Sequence, residues 1–130
     1  NPEVSSVRDS DRIIGLLDSK TLRAERGETM EKHLLLTRFD HARSNSGEML
    51  SIEDVLEILS IPLLGVIPES REILRASNIG SPVTINVAGG PARQAYLEAA
   101  RRLGGETMAP VAIPDEKKTF FTRLFGRRAA

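Results

Sequence analysis

The chain has 130 residues, of which 40% are hydrophobic and 28% are charged, and its 18 basic residues balance its 18 acidic ones. This length and composition fit one globular domain and exclude a chain that is disordered throughout. The absence of cysteine excludes disulfides and thiolate metal sites, and no apolar run reaches the roughly 18 residues that a membrane-spanning helix needs.

An amphipathic helix is predicted over residues 5–24, because Val7, Ile14 and Leu17 recur at helical spacing and Gly27 follows. Its first turns are rich in Ser, Asp and Arg, as in a solvated helix start with serine caps. That explanation does not account for the density of alternating charge. The Asn1-Pro2-Glu3 stretch before it is typical of the exit from a strand, so we expect the chain to be the C-terminal part of a longer protein.

Two continuous apolar runs predict strands that are buried on both faces, as in a parallel sheet. The first run is His33 to Thr37 and the second is Leu63 to Ile67. Residues 41–48 between them are predicted to be a polar loop. Ser51 is expected to cap a helix that extends to Leu59.

After the second strand, Ser70 is expected to cap a short helix that ends around Gly80. Residues 81–85 form at most a short edge segment, because Pro82 cannot donate a ladder hydrogen bond. Pro91 suits the first position of a last helix, which Gly104 and Gly105 would end.

Alternating strands and helices predict an α/β fold: part of a doubly wound, mainly parallel sheet with helices on both faces. Ligands of such sheets bind beyond the carboxyl ends of the strands. The three candidate positions are therefore residues 1–3, 37–40 and 67–69.

The residues show no catalytic machinery of their own. The phosphate-binding pattern Gly-x-x-x-x-Gly-Lys-[Ser/Thr] is absent, and no Gly-Lys pair occurs. Gly89-Gly90-Pro91 is better explained as a helix start than as a phosphate cradle. His33 and His41 have no metal-ligand spacing, so we interpret both as surface or strand-edge histidines.

The C-terminal segment is predicted to be a membrane-binding amphipathic helix over residues 116–128, joined by a linker over 107–115 to a domain over 1–106. Three of the four phenylalanines lie in it, and they share one helical face with Leu124. Residues 117–130 hold five of the 18 basic residues and no acidic ones, which leaves 13 basic and 18 acidic residues before them. Such a tail suits an anionic surface. In the competing interpretation, the C-terminal segment folds back and its phenylalanines pack against the domain. The expected membrane-binding residues are Lys117, Lys118, Phe120, Phe121, Arg123, Leu124 and Phe125.

Several long blocks, in order, resemble the C-terminal half of the MinD family of septum-site-determining ATPases, which are deviant P-loop ATPases. The last block resembles the membrane-targeting helix of that family. The blocks are Asn1 to Arg12, His33 to Arg38, Met49 to Leu59, Gly65 to Glu69, Leu74 to Asn78 and Lys117 to Gly126.

The resemblance implies an ATPase that dimerises on ATP with Mg²⁺, binds the cytoplasmic face of the inner membrane, recruits the division inhibitor MinC and is released by MinE. It places the phosphate and metal ligands upstream of residue 1, so this chain is expected to be inactive alone. It assigns the nucleotide base to Arg38, Pro68 and Glu69. It assigns the dimer and partner surface to Glu3, Arg8, Asp9 and Asp11.

Two alternatives remain open from the residues. One is a related ParA-type positioning ATPase for plasmid partition or flagellar number, although the acidic body does not favour the DNA binding of partition proteins. The other is a peripheral membrane adaptor without enzymatic activity.

Overall fold

The computed structural model describes residues 1–85 and 90–111. They form α1 (Val4–Lys20), α2 (Leu22–Glu25), β1 (Leu34–Phe39), α3 (His41–Ser46), α4 (Ile52–Leu59), β2 (Leu63–Pro68), α5 (Arg71–Asn78) and α6 (Gly90–Leu103). The segment 116–128, predicted to bind membranes, and residues 112–115 of its linker lie outside the described residues.

The strands β1 and β2 are parallel neighbours, and α3 and α4 cross between them. Helices pack on both faces of this pair. Leu36 joins a core with residues of α1 and α4, whereas the adjacent Leu35 faces Gly65 and Ala99 of α6. Because successive side chains of a strand point to opposite faces, the helices occupy two layers. The prediction of a parallel α/β sheet covered on both faces is confirmed.

The main core lies between the strands and the layer of α1 and α4. Val55 of α4 is completely buried there, and Ser51 and Asp54 begin that helix with a reciprocal capping box. The predicted cap at Ser51 is therefore confirmed. The buried residues of this core are Val7, Leu36, Phe39, Met49, Leu50, Ile52, Val55 and Leu59.

The predicted loop over residues 41–48 is wrong, since most of it is the helix α3. Asp40 caps that helix, because its Oδ1 accepts hydrogen bonds from the backbone N–H groups of Ala42 at 2.8 Å and Arg43 at 3.2 Å. Gly47 ends it in a left-handed conformation, φ 79°. A short polar helix has no apolar periodicity, so only its two caps marked it in the sequence.

The first predicted helix is interrupted at Thr21. The Thr21 hydroxyl donates to the Leu17 carbonyl at 2.9 Å and accepts from the N–H of Ala24, so one side chain ends α1 and caps α2. The expected serine caps of α1 are also wrong. Its N-cap is Glu3, which makes no side-chain capping hydrogen bond.

The remaining boundaries lie close to the predictions. Ser70 caps α5 by accepting from the N–H of Glu72 at 3.2 Å, as predicted. The last helix begins at Gly90, one residue before Pro91, and ends before Gly104. Residues 83–85 form a turn and no strand. No helix among the described residues is long and apolar enough to cross a membrane.

Candidate functional site

The carboxyl ends of the two strands are held together by the backbone. Phe39 is the register partner of Pro68, and the N–H of Glu69 donates to the Phe39 carbonyl at 2.8 Å. This pairing brings Arg38, Pro68 and Glu69 to one edge of the sheet. Sequence position alone had suggested the same edge, because parallel strands end on the same side.

Arg38 and Glu69 form an ion pair at this edge, with 3.0 Å between Nε of Arg38 and Oε2 of Glu69. Their side chains are 67% and 48% exposed, so the pair lies open to solvent and to a ligand. The bond uses one of the five N–H donors of the guanidinium. Four donors therefore remain for a ligand, since the described residues offer that guanidinium no further hydrogen bond.

The backbone of Arg38 is unusual, with φ 58°. The register of β1 and β2 is irregular between Leu36 and Phe39, so Arg38 lies in a bulge that changes the direction of its side chain. Bulges are frequent beside ligand sites, and a positive φ is uncommon outside glycine.

Flat side chains lie beside the charged pair. The rings of Phe39 and His41 meet edge to face, with centroids 4.8 Å apart. Both side chains and Pro68 line a cavity of about 540 Å³ that reaches α6, where Gln94, Glu98 and Arg102 add polar groups. Arg38 and Glu69 are not among its lining residues. The exposed guanidinium of Arg38 and the ring of Pro68 suit the face of a nucleobase, whereas Phe39 is buried in the core. His41 is exposed beside the end of β1, as expected of a surface or strand-edge histidine; its ring contact with Phe39 was not predicted.

Of the four residues predicted for partner binding, Glu3 directly precedes α1 and the other three lie in its first half. Arg8, Asp9 and Asp11 are exposed, and Asp9 pairs loosely with Arg12 at 3.8 Å. Glu3 is half-buried because its carboxylate contacts Arg43 at 3.0 Å. Sequence reasoning missed Arg43, which is 40 residues away from Glu3.

The seven side chains predicted to bind membranes, Lys117 to Phe125, lie outside the described residues. Within residues 1–85 and 90–111, no group of three or more His, Asp and Glu side chains could hold a metal ion. Within the described residues, the two groups of charged side chains that could bind a ligand or partner are thus those at the strand ends and those around the start of α1.

The search of protein-family models found no match. Among curated proteins, the chain is 56% identical over 127 residues to the septum site-determining protein MinD of Escherichia coli K12. The aligned region covers 97% of the chain and 47% of that relative. The chain therefore spans about half the length of the relative.

Two solved structures from Aquifex aeolicus resemble the fold. A MinD cell division protein superimposes with a TM-score of 0.72 at 38% identity and covers 86% of this chain and 44% of its own. A MinC:MinD cell division protein complex gives a TM-score of 0.71 at 36% identity and covers 87% of this chain and 43% of its own.

Proposed function

Because this chain is a homologue of about half of the septum site-determining protein MinD, we propose that it is the C-terminal half of a P-loop ATPase that selects the site of cell division. The geometry that supports this proposal most directly is the meeting of Arg38, Pro68 and Glu69 at the ends of two parallel strands. Doubly wound sheets bind nucleotides at that edge.

The described residues fit the base end of an ATP site. Arg38 supplies donors and a flat cation, Pro68 supplies an apolar surface, and Glu69 fixes the guanidinium. The sequence has no phosphate loop, and the resemblance to MinD implies that the phosphate and Mg²⁺ ligands belong to the other half of the parent protein. Attack of water on the terminal phosphoanhydride bond of ATP, giving ADP and phosphate, would end the dimeric state.

MinC and MinE are the partners that we propose, on the basis of a related complex and of the exposed charges on α1. A relative that is 36% identical was solved as a complex with MinC, and the exposed charges of Arg8, Asp9 and Asp11 on α1 offer a surface for such a partner. We place the ATP-dependent dimer contact, MinC binding and MinE-stimulated release on this surface, together with Glu3.

Membrane attachment depends on the C-terminal segment. Fully buried Phe or Leu side chains contribute roughly 1.5–3 kcal/mol each, and each basic residue near anionic lipid adds about 1 kcal/mol. Ordering the tail and associating with the bilayer oppose these gains, so one tail binds weakly and reversibly. Two tails on one dimer raise avidity by about 10² to 10⁴. Dimerisation on ATP therefore strengthens binding to the inner membrane enough for the protein to stay attached.

Vesicle sedimentation tests this function. The full-length parent protein is mixed with anionic phospholipid vesicles in ATP or in ADP, and the bound fraction is measured. We expect binding in ATP and little binding in ADP, because only ATP holds two tails together. Equal binding in the two nucleotides would contradict the proposal.

A further inference from the structure

The segment between β1 and α4 connects the two candidate surfaces. It begins with Asp40, directly after Arg38 and Phe39 at the nucleotide edge, and it reaches the start of α1 through α3. Caps at both ends, Asp40 and Gly47, define that helix. A capped helix holds its side chains in fixed directions better than a loop does.

Arg43 on α3 is the side chain that reaches α1. Its Nη1 lies 3.0 Å from Oε1 of Glu3. Its other nitrogens lie near Glu48, with Nη2 3.5 Å from the carbonyl oxygen and Nε 3.9 Å from Oε2. Arg43 is 43% exposed and the Glu3 side chain 37% exposed, so solvent screens the pair only in part.

A second contact holds the same two segments together. The N–H of Leu50 donates to the Pro2 carbonyl at 3.1 Å, and Pro2 and Leu50 are both buried. The backbone before α1 is thus held by Leu50, while the orientation of the Glu3 carboxylate is held by Arg43. Glu3 makes no capping bond within α1 that could orient it instead.

We propose that Arg43 is a positioning residue for the partner-binding surface, which it serves by holding the Glu3 carboxylate at the start of α1. This inference rests on the proposed function, since it assumes that Glu3 belongs to a surface that binds MinC. The affinity for MinC then depends on Arg43, which lies outside α1, on the helix that directly follows the nucleotide edge of β1. We expect nucleotide affinity to be independent of Arg43, because Arg38 and Glu69 pair with each other and Arg43 pairs with Glu3 and Glu48.

The test uses the full-length parent protein in ATP and measures its affinity for purified MinC and for ATP. Arg43→Gln is expected to weaken MinC binding about 2- to 5-fold, the range for a partly exposed ion pair, and to leave ATP affinity unchanged. Arg43→Lys should restore most of the lost affinity. Arg101→Gln is the matched control, because it removes an exposed pair with Glu106 at 3.7 Å on α6.

A double-mutant cycle separates positioning from a general structural effect. In a Glu3→Gln background, Arg43→Gln should cause no further loss of MinC affinity. Additive losses, or a parallel loss of ATP affinity, would overturn this inference, as would unchanged MinC binding in Arg43→Gln. If the unaltered parent failed to bind MinC at all, the proposed function would fall and this inference with it.

Discussion

Arg38 combines an uncommon backbone conformation with an exposed position at the strand ends. A left-handed conformation costs an L-residue about 1 kcal/mol or more relative to glycine, and such strain is frequent at ligand sites. Here the bulge that produces φ 58° also places the guanidinium beside Glu69. The strained backbone of Arg38 therefore lowers stability but orients the guanidinium toward Glu69.

Comparing Arg38→Gly with Arg38→Ala isolates that backbone strain. Both variants lose the pair with Glu69, but only alanine retains a Cβ at a positive φ. We expect Arg38→Gly to be more stable than Arg38→Ala by about 1 kcal/mol in urea unfolding of the parent protein. Both should lose nucleotide affinity. Ser60, with φ 51° in an exposed position, is the control site, where the same ordering of Gly over Ala is expected. Equal stability of the two Arg38 variants would contradict the argument.

Among the elements, those with a strong apolar pattern were predictable and those defined by polar contacts were not. The strands and α4 followed from continuous apolar runs and a capping box. The helix α3 was missed because its residues are nearly all polar. The break at Thr21 was missed because Thr21 acts through hydrogen bonds to Leu17 and Ala24 that an apolar pattern does not reveal.

The contact between β2 and α6 requires a glycine. A Cβ on Gly65 would lie 3.2 Å from Cβ of Ala99 and 3.4 Å from Cδ1 of Leu35, so Gly65→Ala should push α6 from the sheet. We expect a loss of about 1–3 kcal/mol in unfolding free energy, measured by urea denaturation.

Two further variants control that prediction. Gly15→Ala in α1 has open space around its Cβ, so it should stabilise the protein by about 0.5–1 kcal/mol. Ala99→Gly should relieve part of the damage of Gly65→Ala. A Gly65→Ala protein as stable as Gly15→Ala would show that the helix does not lie this close to the strand.

At the scale of the whole molecule, topology brings the candidate site together. The sequence indicated that Arg38, Pro68 and Glu69 follow strand ends, and parallel pairing was enough to predict that they meet. The contact of Arg43 with Glu3 joins residues 40 positions apart, and no local pattern contains that information. The same holds for His41, whose edge contact with Phe39 appears only in the folded chain.

Attachment of the whole molecule to membranes is predicted to depend on the apolar face of the C-terminal segment. Phe121→Glu or Leu124→Glu should abolish vesicle binding of the parent in ATP, because a carboxylate would have to enter the acyl boundary. ATP binding should survive. Thr122→Glu is the matched control: it makes the same change of charge on the opposite helical face and should retain most of the binding. Loss of ATP affinity in the Phe121 variant would contradict this assignment.

The hydrogen bonds of Arg102 fix where the chain leaves the described domain. Its guanidinium donates to the Leu64 carbonyl at 3.4 Å and to the Ala109 carbonyl at 3.3 Å, so the chain after α6 stays beside β2. Five residues then separate Val111 from Lys117, and even a fully extended chain spans only about 20 Å over that stretch. If the segment after Lys117 binds lipid as proposed, a connection of this length would hold the described domain close to the lipid headgroups.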